Sequence, residues 1–328
     1  MKTASILATL AFCGCSVSAV PTTTVTSLHR VVHALRAGSG GGTKGPLLFV
    51  SDSTTAMVYV YQLSTLKVVN TVTGLTDPQG ECSDTKGDVW VTDAGVNSIY
   101  ELSREGRLEN TLTATAYPVG CASDPTTGNL AVMNLFGSGS GSGSHGAVTI
   151  YPKRAGRSSH QYQNPRQYYY NFGGYDTGGD LFFDGRSESG AFMLSELPKG
   201  AKRALTIAIS GGTIYYPGMV QWDPTKKELI VGDQSCGNAY TASCLYAIQI
   251  ANKTGTIEST INLLNSSGGQ ICDLIQAVIY KGQLAGSDKD ICGSSPSTTY
   301  VWPYPAGGAP TLSNSSTDST PVGAAVSP

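Results

Sequence analysis

Leu48-Phe49-Val50-Ser51-Asp52 returns as Val89-Trp90-Val91-Thr92-Asp93. Looser copies follow at Leu130-Ala131-Val132-Met133-Asn134, Leu181-Phe182-Phe183-Asp184-Gly185, Leu229-Ile230-Val231-Gly232-Asp233 and Leu284-Ala285-Gly286-Ser287-Asp288. An apolar strand that ends at a turn-forming residue thus occurs six times. A spacing of roughly 40 to 55 residues is the range of propeller blades, each of which needs neighbours to cover its faces.

Each unit follows the same order. A turn-like start such as Asp77-Pro78-Gln79-Gly80, Tyr117-Pro118-Val119-Gly120 or Tyr216-Pro217-Gly218 leads into a short strand of small residues. That strand ends at a turn opened by Asp84, Asp124, Asp176 or Asp223, whose side chain and following Gly or Pro are hairpin chemistry. The apolar repeat comes next, then an alternating strand such as Ser98-Ile99-Tyr100-Glu101-Leu102, and in several units a more polar fourth. At the C-terminus, Pro321-Val322-Gly323-Ala324-Ala325-Val326-Ser327 copies Pro118-Val119-Gly120-Cys121-Ala122-Ser123 but has no unit after it. The first unit, at Leu47, lacks that inner strand. The sequence therefore predicts an all-β fold over residues 46–328: a six-bladed β-propeller of four-stranded antiparallel blades. Its ring would be closed by the C-terminal strand pairing into the first blade.

Composition agrees. Only 13% of residues are charged and Tyr outnumbers Phe 17 to 7, which suits a turn-rich β chain. A net charge of −2 gives no electrostatic reason to expect nucleic acid or an anionic membrane surface. Lys2 and the apolar stretch from Ala4 to Cys15 read as an export signal too short to span a bilayer. Two processing routes fit: cleavage after Ala19, or a lipoprotein signal ending before Cys15, which would then carry the lipid. Residues 20–45, rich in Thr and Gly, read as a flexible linker. The expected location is extracytoplasmic: secreted, periplasmic or lipid-anchored.

Cysteine usage supports export. Cys82, Cys121, Cys236, Cys244, Cys272 and Cys292 are an even set with no CxxC pair, which favours disulfides. Cys236 and Cys244 share one loop. Cys272 and Cys292 fall at the same end of the fold. Cys82 and Cys121 would join adjacent inner strands, one position out of step.

With its Pro-x-Gly starts, Asp-x-x-x-Gly turns and Val-x-x-Asp strand ends, the chain resembles the NHL-repeat and gluconolactonase-like propellers over roughly Leu47 to Pro328. The gluconolactonase type implies a divalent cation held at the axis by acidic and amide side chains, and Glu81 could match one such ligand. The streptogramin-lyase type needs a channel histidine, and none of His29, His33, His145 and His160 falls on an expected inner strand.

In a repeat, a residue type found in most units serves the fold, whereas a polar residue found in one is a functional candidate. By that rule Asp52, Asp93, Asp233 and Asp288 are structural. Aligned on the turn aspartates, Glu81 matches Cys121, Gly173, Val220 and Gln276, while Cys82 matches Ala122, Gly174, Gln221 and Ala277. Glu81, Gln221 and Gln276 are polar exceptions near a crowded axis. Glu81 reads either as a ligand for a cation such as calcium or as a carboxylate satisfied by channel water. Asp273, beside Cys272 in a connection between units, joins the ligand-binding candidates. So do Tyr168 and Tyr170, whose rings could stack on sugars or pack between blades. The long insertions Phe136 to Gly146, Gln234 to Ser243 and Lys289 to Thr298 share one end of the fold, where recognition surfaces form. Asn252-Lys253-Thr254, Asn265-Ser266-Ser267 and Asn314-Ser315-Ser316 match glycosylation acceptors of a eukaryotic chain.

These features point to an exported binding or scaffolding module that recognises an extracytoplasmic protein, glycan or small molecule through its long-loop end. It is expected to be a monomer, without nucleic acid, meeting a membrane only through a lipid anchor. No cofactor is expected beyond a divalent cation. The alternative is a metal-dependent hydrolase or lactonase with Glu81 as a ligand.

Overall fold

Val, Ile, Leu and aromatic residues dominate the repeated segments, and every repeat forms a strand. The computed structural model describes residues 33–36, 44–137, 144–152, 160–238, 241–289, 296–315, 317 and 319–328. The export signal, Cys15 and Cys292 lie outside them.

The first strands are β1 (His33–Arg36), β2 (Leu47–Asp52), β3 (Met57–Gln62) and β4 (Lys67–Thr73). Next come β5 (Pro78–Ser83), β6 (Val89–Asp93), β7 (Ser98–Leu102) and β8 (Leu108–Thr113). The third group is β9 (Pro118–Ser123), β10 (Leu130–Phe136), β11 (His145–Tyr151) and β12 (His160–Tyr162). The fourth is β13 (Tyr169–Tyr175), β14 (Leu181–Arg186), β15 (Phe192–Leu197) and β16 (Leu205–Ser210). The fifth is β17 (Pro217–Asp223), β18 (Glu228–Asp233), β19 (Cys244–Ala251) and β20 (Thr254–Asn262). The chain ends with β21 (Leu274–Tyr280), β22 (Gln283–Asp288), β23 (Thr298–Pro303), β24 (Leu312–Asn314) and β25 (Ala325–Ser327).

The fold is all-β and propeller-like. β5–β8, β9–β12 and β21–β24 each form a four-stranded antiparallel sheet. The C-terminal β25 pairs antiparallel with β2, with Val326 opposite Leu48, and the resulting sheet runs β1-β4-β3-β2-β25. β1 belongs to the stretch read as linker; it lies along β4. Six separate sheets were expected, but the described residues form five. β13–β16 and β17–β20 form one eight-stranded sheet, because β16 and β20 pair in parallel at Ala208–Ser210 and Thr254–Thr256. That pairing satisfies part of an outer edge that would otherwise face solvent.

Both faces of a sheet are covered. From the first sheet, Phe49, Val58 and Val60 pack with Val89, Val91 and Tyr100 of the second. Leu48, Val50 and Tyr61 on the opposite face pack with Ala285 and Val301 of the last. Burial on both sides is why the repeats read as nearly continuous apolar runs.

The strand-end aspartates tie this together. Asp93 accepts from the amides of Thr76, Asp77 and Gly95 at 2.8, 2.9 and 3.1 Å. Asp233 takes Tyr215, Tyr216 and Ser235, and Asp288 takes Cys272 and Asp273. Asp52 holds Ser319 and Thr320 of the C-terminal segment, together with Thr55. Each carboxylate therefore anchors the connection leading into the inner strand of its own sheet; those of Asp52, Asp93 and Asp233 also hold the turn that follows. Asn134, at the equivalent place, has an amide instead and donates to Ala147 O and Thr149 Oγ1. Asp184 lies one position earlier and accepts from Phe172 and Gly218, so it joins β13 to β17. The turn residues Asp84, Asp124, Asp176 and Asp223 bond locally, as the sequence predicts.

Asp233→Ala strands three inward-facing amides. Urea unfolding of this variant is expected to show a loss of about 2–4 kcal/mol, the scale for removing a buried charged acceptor.

Candidate functional site

The inner strands pack in the order β5, β9, β13, β17, β21 and β25, and β25 packs on β5. Small residues permit this. A Cβ on Gly80 would come 2.5 Å from Val119 O, and one on Gly174 would come 2.6 Å from Val220 O. Two cavities lie along these strands. Phe172 lines both.

The mouth cavity, about 410 Å³, is lined by residues that begin the inner strands or follow the apolar repeats. That places it at the end where the long insertions emerge. Its polar residues are Gln79, Asn171, Tyr216, Gln234, Asp273 and Lys289, with Val119, Leu135, Phe172, Ile275 and Val322 between them. Lys289 Nζ stands 3.6 Å from Asp273 Oδ2, and both side chains are largely buried. Burial raises the Asp273 carboxyl above its ordinary value, while the Lys289 charge opposes the rise. Asn171 Oδ1 is buried and accepts no hydrogen bond from the described residues. Beside the mouth, the Arg186 guanidinium carbon sits 5.0 Å from the Tyr169 ring centre and 4.7 Å from that of Tyr216.

The second cavity, about 310 Å³, lies toward the turns between first and second strands and includes Glu81, Ser83, Asp84 and Ser123. Glu81 is 1% exposed, and neither carboxyl oxygen has a partner among the described residues. Burial pushes its carboxyl well above the usual range, and no opposing charge acts on it.

Gln276 and Gln221 serve the backbone. Gln276 Oε1 accepts from Glu81 N at 2.9 Å and Ala324 N at 3.2 Å, while Nε2 donates to Glu81 O at 2.7 Å. Gln221 makes the same two-way pairing with Ile279 N and O. Each side-chain amide thus imitates one more residue of a strand. The pairing also places Gln276 differently from the sequence alignment. Ala277, not Gln276, pairs with Gly286 as Glu81 pairs with Val91. Both strands carry the same register shift, so Gln276 stands at the place of Gly80; the unit's turn has no Asp, and the alignment on turn aspartates is one residue out there.

Asp273 lines the mouth. Tyr168 is 8% exposed, with its ring 4.4 Å from His145 and 4.8 Å from Tyr169. Tyr170 is fully buried, stacks on Phe183, and its hydroxyl accepts from Asn164 N. Cys82 and Cys121 are bonded across β5 and β9, with Cα atoms 5.6 Å apart. Their one-position offset suits the bond, because successive side chains point to opposite faces. Cys236 and Cys244 close their loop. Such bonds fit an oxidising, extracytoplasmic setting. Cys272 is placed, but its expected partner Cys292 is outside the described residues.

Among the described residues, the group of His, Cys, Asp or Glu whose ligand atoms converge within 4.8 Å is Asp84 and Asp88 of the β5–β6 turn with Glu101 of β7. Glu81 is not in it, and the nearby glutamine oxygens are occupied by amides. The residues around Glu81 do not by themselves compose a calcium shell of 6–8 oxygens. Sequence reasoning missed Lys289, Asn171, Gln234, Tyr216 and Arg186. Each falls within a residue or two of an expected strand end, and that position is the signal that could have found them.

No protein-family model matches this chain, and no curated protein matches it. Solved structures do. A Bacteroides caccae protein of unknown function is 13% identical with a TM-score of 0.62, over 86% of this chain and 99% of that one. A Xanthomonas campestris protein described as a gluconolactonase is 13% identical with a TM-score of 0.56, over 88% and 92%. A functionally unknown Desulfotomaculum acetoxidans protein is 12% identical with a TM-score of 0.51, over 81% and 79%. At these identities the likeness establishes the β-propeller fold and no activity.

Because Glu81 holds its proton to higher pH when folded than when unfolded, its contribution to stability is complete at low pH. It is lost as pH rises from the ordinary carboxylate range through the raised folded value. Glu81→Gln keeps the neutral form. It is expected to match the parent at about pH 4 and to exceed it by about 1–3 kcal/mol at pH 8 in urea unfolding. Equal stabilities at both pH values would show that Glu81 is not desolvated.

Proposed function

We propose that this chain is an exported six-bladed propeller that binds a small hydroxylated molecule, or the end of a glycan, in the mouth cavity. The support for six blades is the cyclic packing of the six inner strands, with the eight-stranded sheet taken as two blades joined at their outer edges. The pairing of β25 with β2, and the Asp52 anchor on residues 319 and 320, support closure. The disulfides support export.

One observation carries the binding reading: all six inner-strand regions contribute side chains to the mouth. Its volume of about 410 Å³ lies within the roughly 300–1,000 Å³ of small-molecule sites. Apolar walls with a few oriented polar groups suit a ligand with a hydrocarbon frame and hydroxyls. Asn171 Oδ1 would accept from one hydroxyl, and the Asp273–Lys289 pair would offer an acceptor and a donor to others. The orphan oxygen favours a ligand that donates, since an unpaired buried acceptor is costly.

A second reading, a metal-dependent hydrolase or lactonase, draws on the unpartnered Glu81 carboxyl. It requires ligands beyond the side chains that converge there. A rise in melting temperature with calcium, lost in Glu81→Gln, together with lactone hydrolysis would favour it.

The binding reading is tested by thermal shift and calorimetry with monosaccharides, oligosaccharides and sugar acids. A ligand that binds the parent is expected to lose about tenfold in affinity, about 1.4 kcal/mol, on Asn171→Ala and again on Lys289→Met. Binding unchanged in both variants would place the site elsewhere.

A further inference from the structure

Three sequons are present, and the fold treats their asparagines differently. Asn314 lies on β24, and its Nδ2 donates to Leu66 O at 2.7 Å. Leu66 is buried, so a sugar on that nitrogen would press into packed chain. Asn265 sits in the connection after β20, where its Oδ1 accepts from Ser267 N and Gly269 N at 3.0 Å each. Its Oδ1 thus closes a tight loop and fixes the orientation of the amide.

Asn252 differs. With Lys253 it forms the two-residue turn between β19 and β20, and both have positive φ, 49° and 63°. Two left-handed residues make the type I′ turn that Asn favours. Asn252 is exposed, its backbone is held by the flanking strand pair, and its side chain makes no hydrogen bond to the described residues. Thr254 supplies the hydroxyl two positions on.

We propose that Asn252 is the N-glycan acceptor of this chain in a eukaryotic secretory pathway, and that Asn265 and Asn314 remain unmodified. The co-reactant is a lipid-pyrophosphate-linked oligosaccharide. A bond forms between Asn252 Nδ2 and the anomeric carbon while the bond from that carbon to the pyrophosphate oxygen breaks. Nδ2 gives up one proton to the transferase, and the lipid pyrophosphate leaves. The position also keeps the mouth clear. β19 begins at the mouth end and runs eight residues away from it, about 25 Å at the usual rise per residue. The glycan would therefore stand on the opposite end. This inference is independent of what the mouth binds.

The full chain is secreted from yeast, and its glycans are released by peptide-N-glycosidase in ¹⁸O-water. Tandem mass spectrometry then finds asparagines converted to ¹⁸O-labelled aspartate. Label at residue 252 and none at 265 or 314 is the expected result. Asn252→Gln and Thr254→Ala should each remove one glycan from the intact mass while leaving the circular dichroism spectrum unchanged. Thr254→Ala keeps Asn252 and its turn, so loss of the glycan there is not a folding defect. An unlabelled Asn252, or label at Asn265 or Asn314, overturns the proposal.

Discussion

A carboxylate that holds the amides leading into an inner strand is the interaction on which the rest of this fold depends. Asp52, Asp93, Asp233 and Asp288 each reach from the end of a repeat strand to the segment that enters their own sheet. Such segments would otherwise bury unpaired N–H groups, each worth about 1–3 kcal/mol when stranded. The contact sets where β5, β17, β21 and β25 begin, and hence their register. It acts at Asp52 between residues 268 positions apart, tying the end of the chain to its start.

The inner strands then meet in two ways. Where glycine faces a neighbouring carbonyl, backbones approach until no side chain fits between them, as at Gly80 and Gly174. Where a longer residue stands, it substitutes for backbone: Gln276 and Gln221 pair their amides with the N–H and C=O of the next strand. The Cys82–Cys121 bond adds a covalent joint between β5 and β9. These joints use up most polar groups along the strands. Among the described residues of the inner strands, Glu81 and Asn171 Oδ1 are buried acceptors left without a partner, and they border the two cavities.

How legible this was differs residue by residue. The strand-end aspartates were readable as structural because they recur. Their main partners were not, since a turn of their own and an incoming connection look alike in sequence. Gln221 and Gln276 stood out as polar residues among small ones, but whether an amide faces a ligand or a neighbouring backbone depends on a strand distant in the chain. The misplacement of Gln276 had a local cause: the final unit replaces the Asp turn by Tyr280-Lys281-Gly282-Gln283, so the alignment lost its marker. Asp273 was legible by its place, whereas Lys289, the first residue of a long insertion, matches nothing in the other units.

Taken alone, the sequence determined the repeat, the strand order within each unit, the turn chemistry and the kinship of tail and first unit. These are local patterns, governed by side-chain alternation and short-range hydrogen bonds. Only the tertiary structure decided that two sheets fuse at β16 and β20, that Cys82 meets Cys121, and that Asn171, Asp273 and Lys289 share one mouth. Those outcomes depend on the stagger between neighbouring strands, a distance between remote segments that no local pattern encodes.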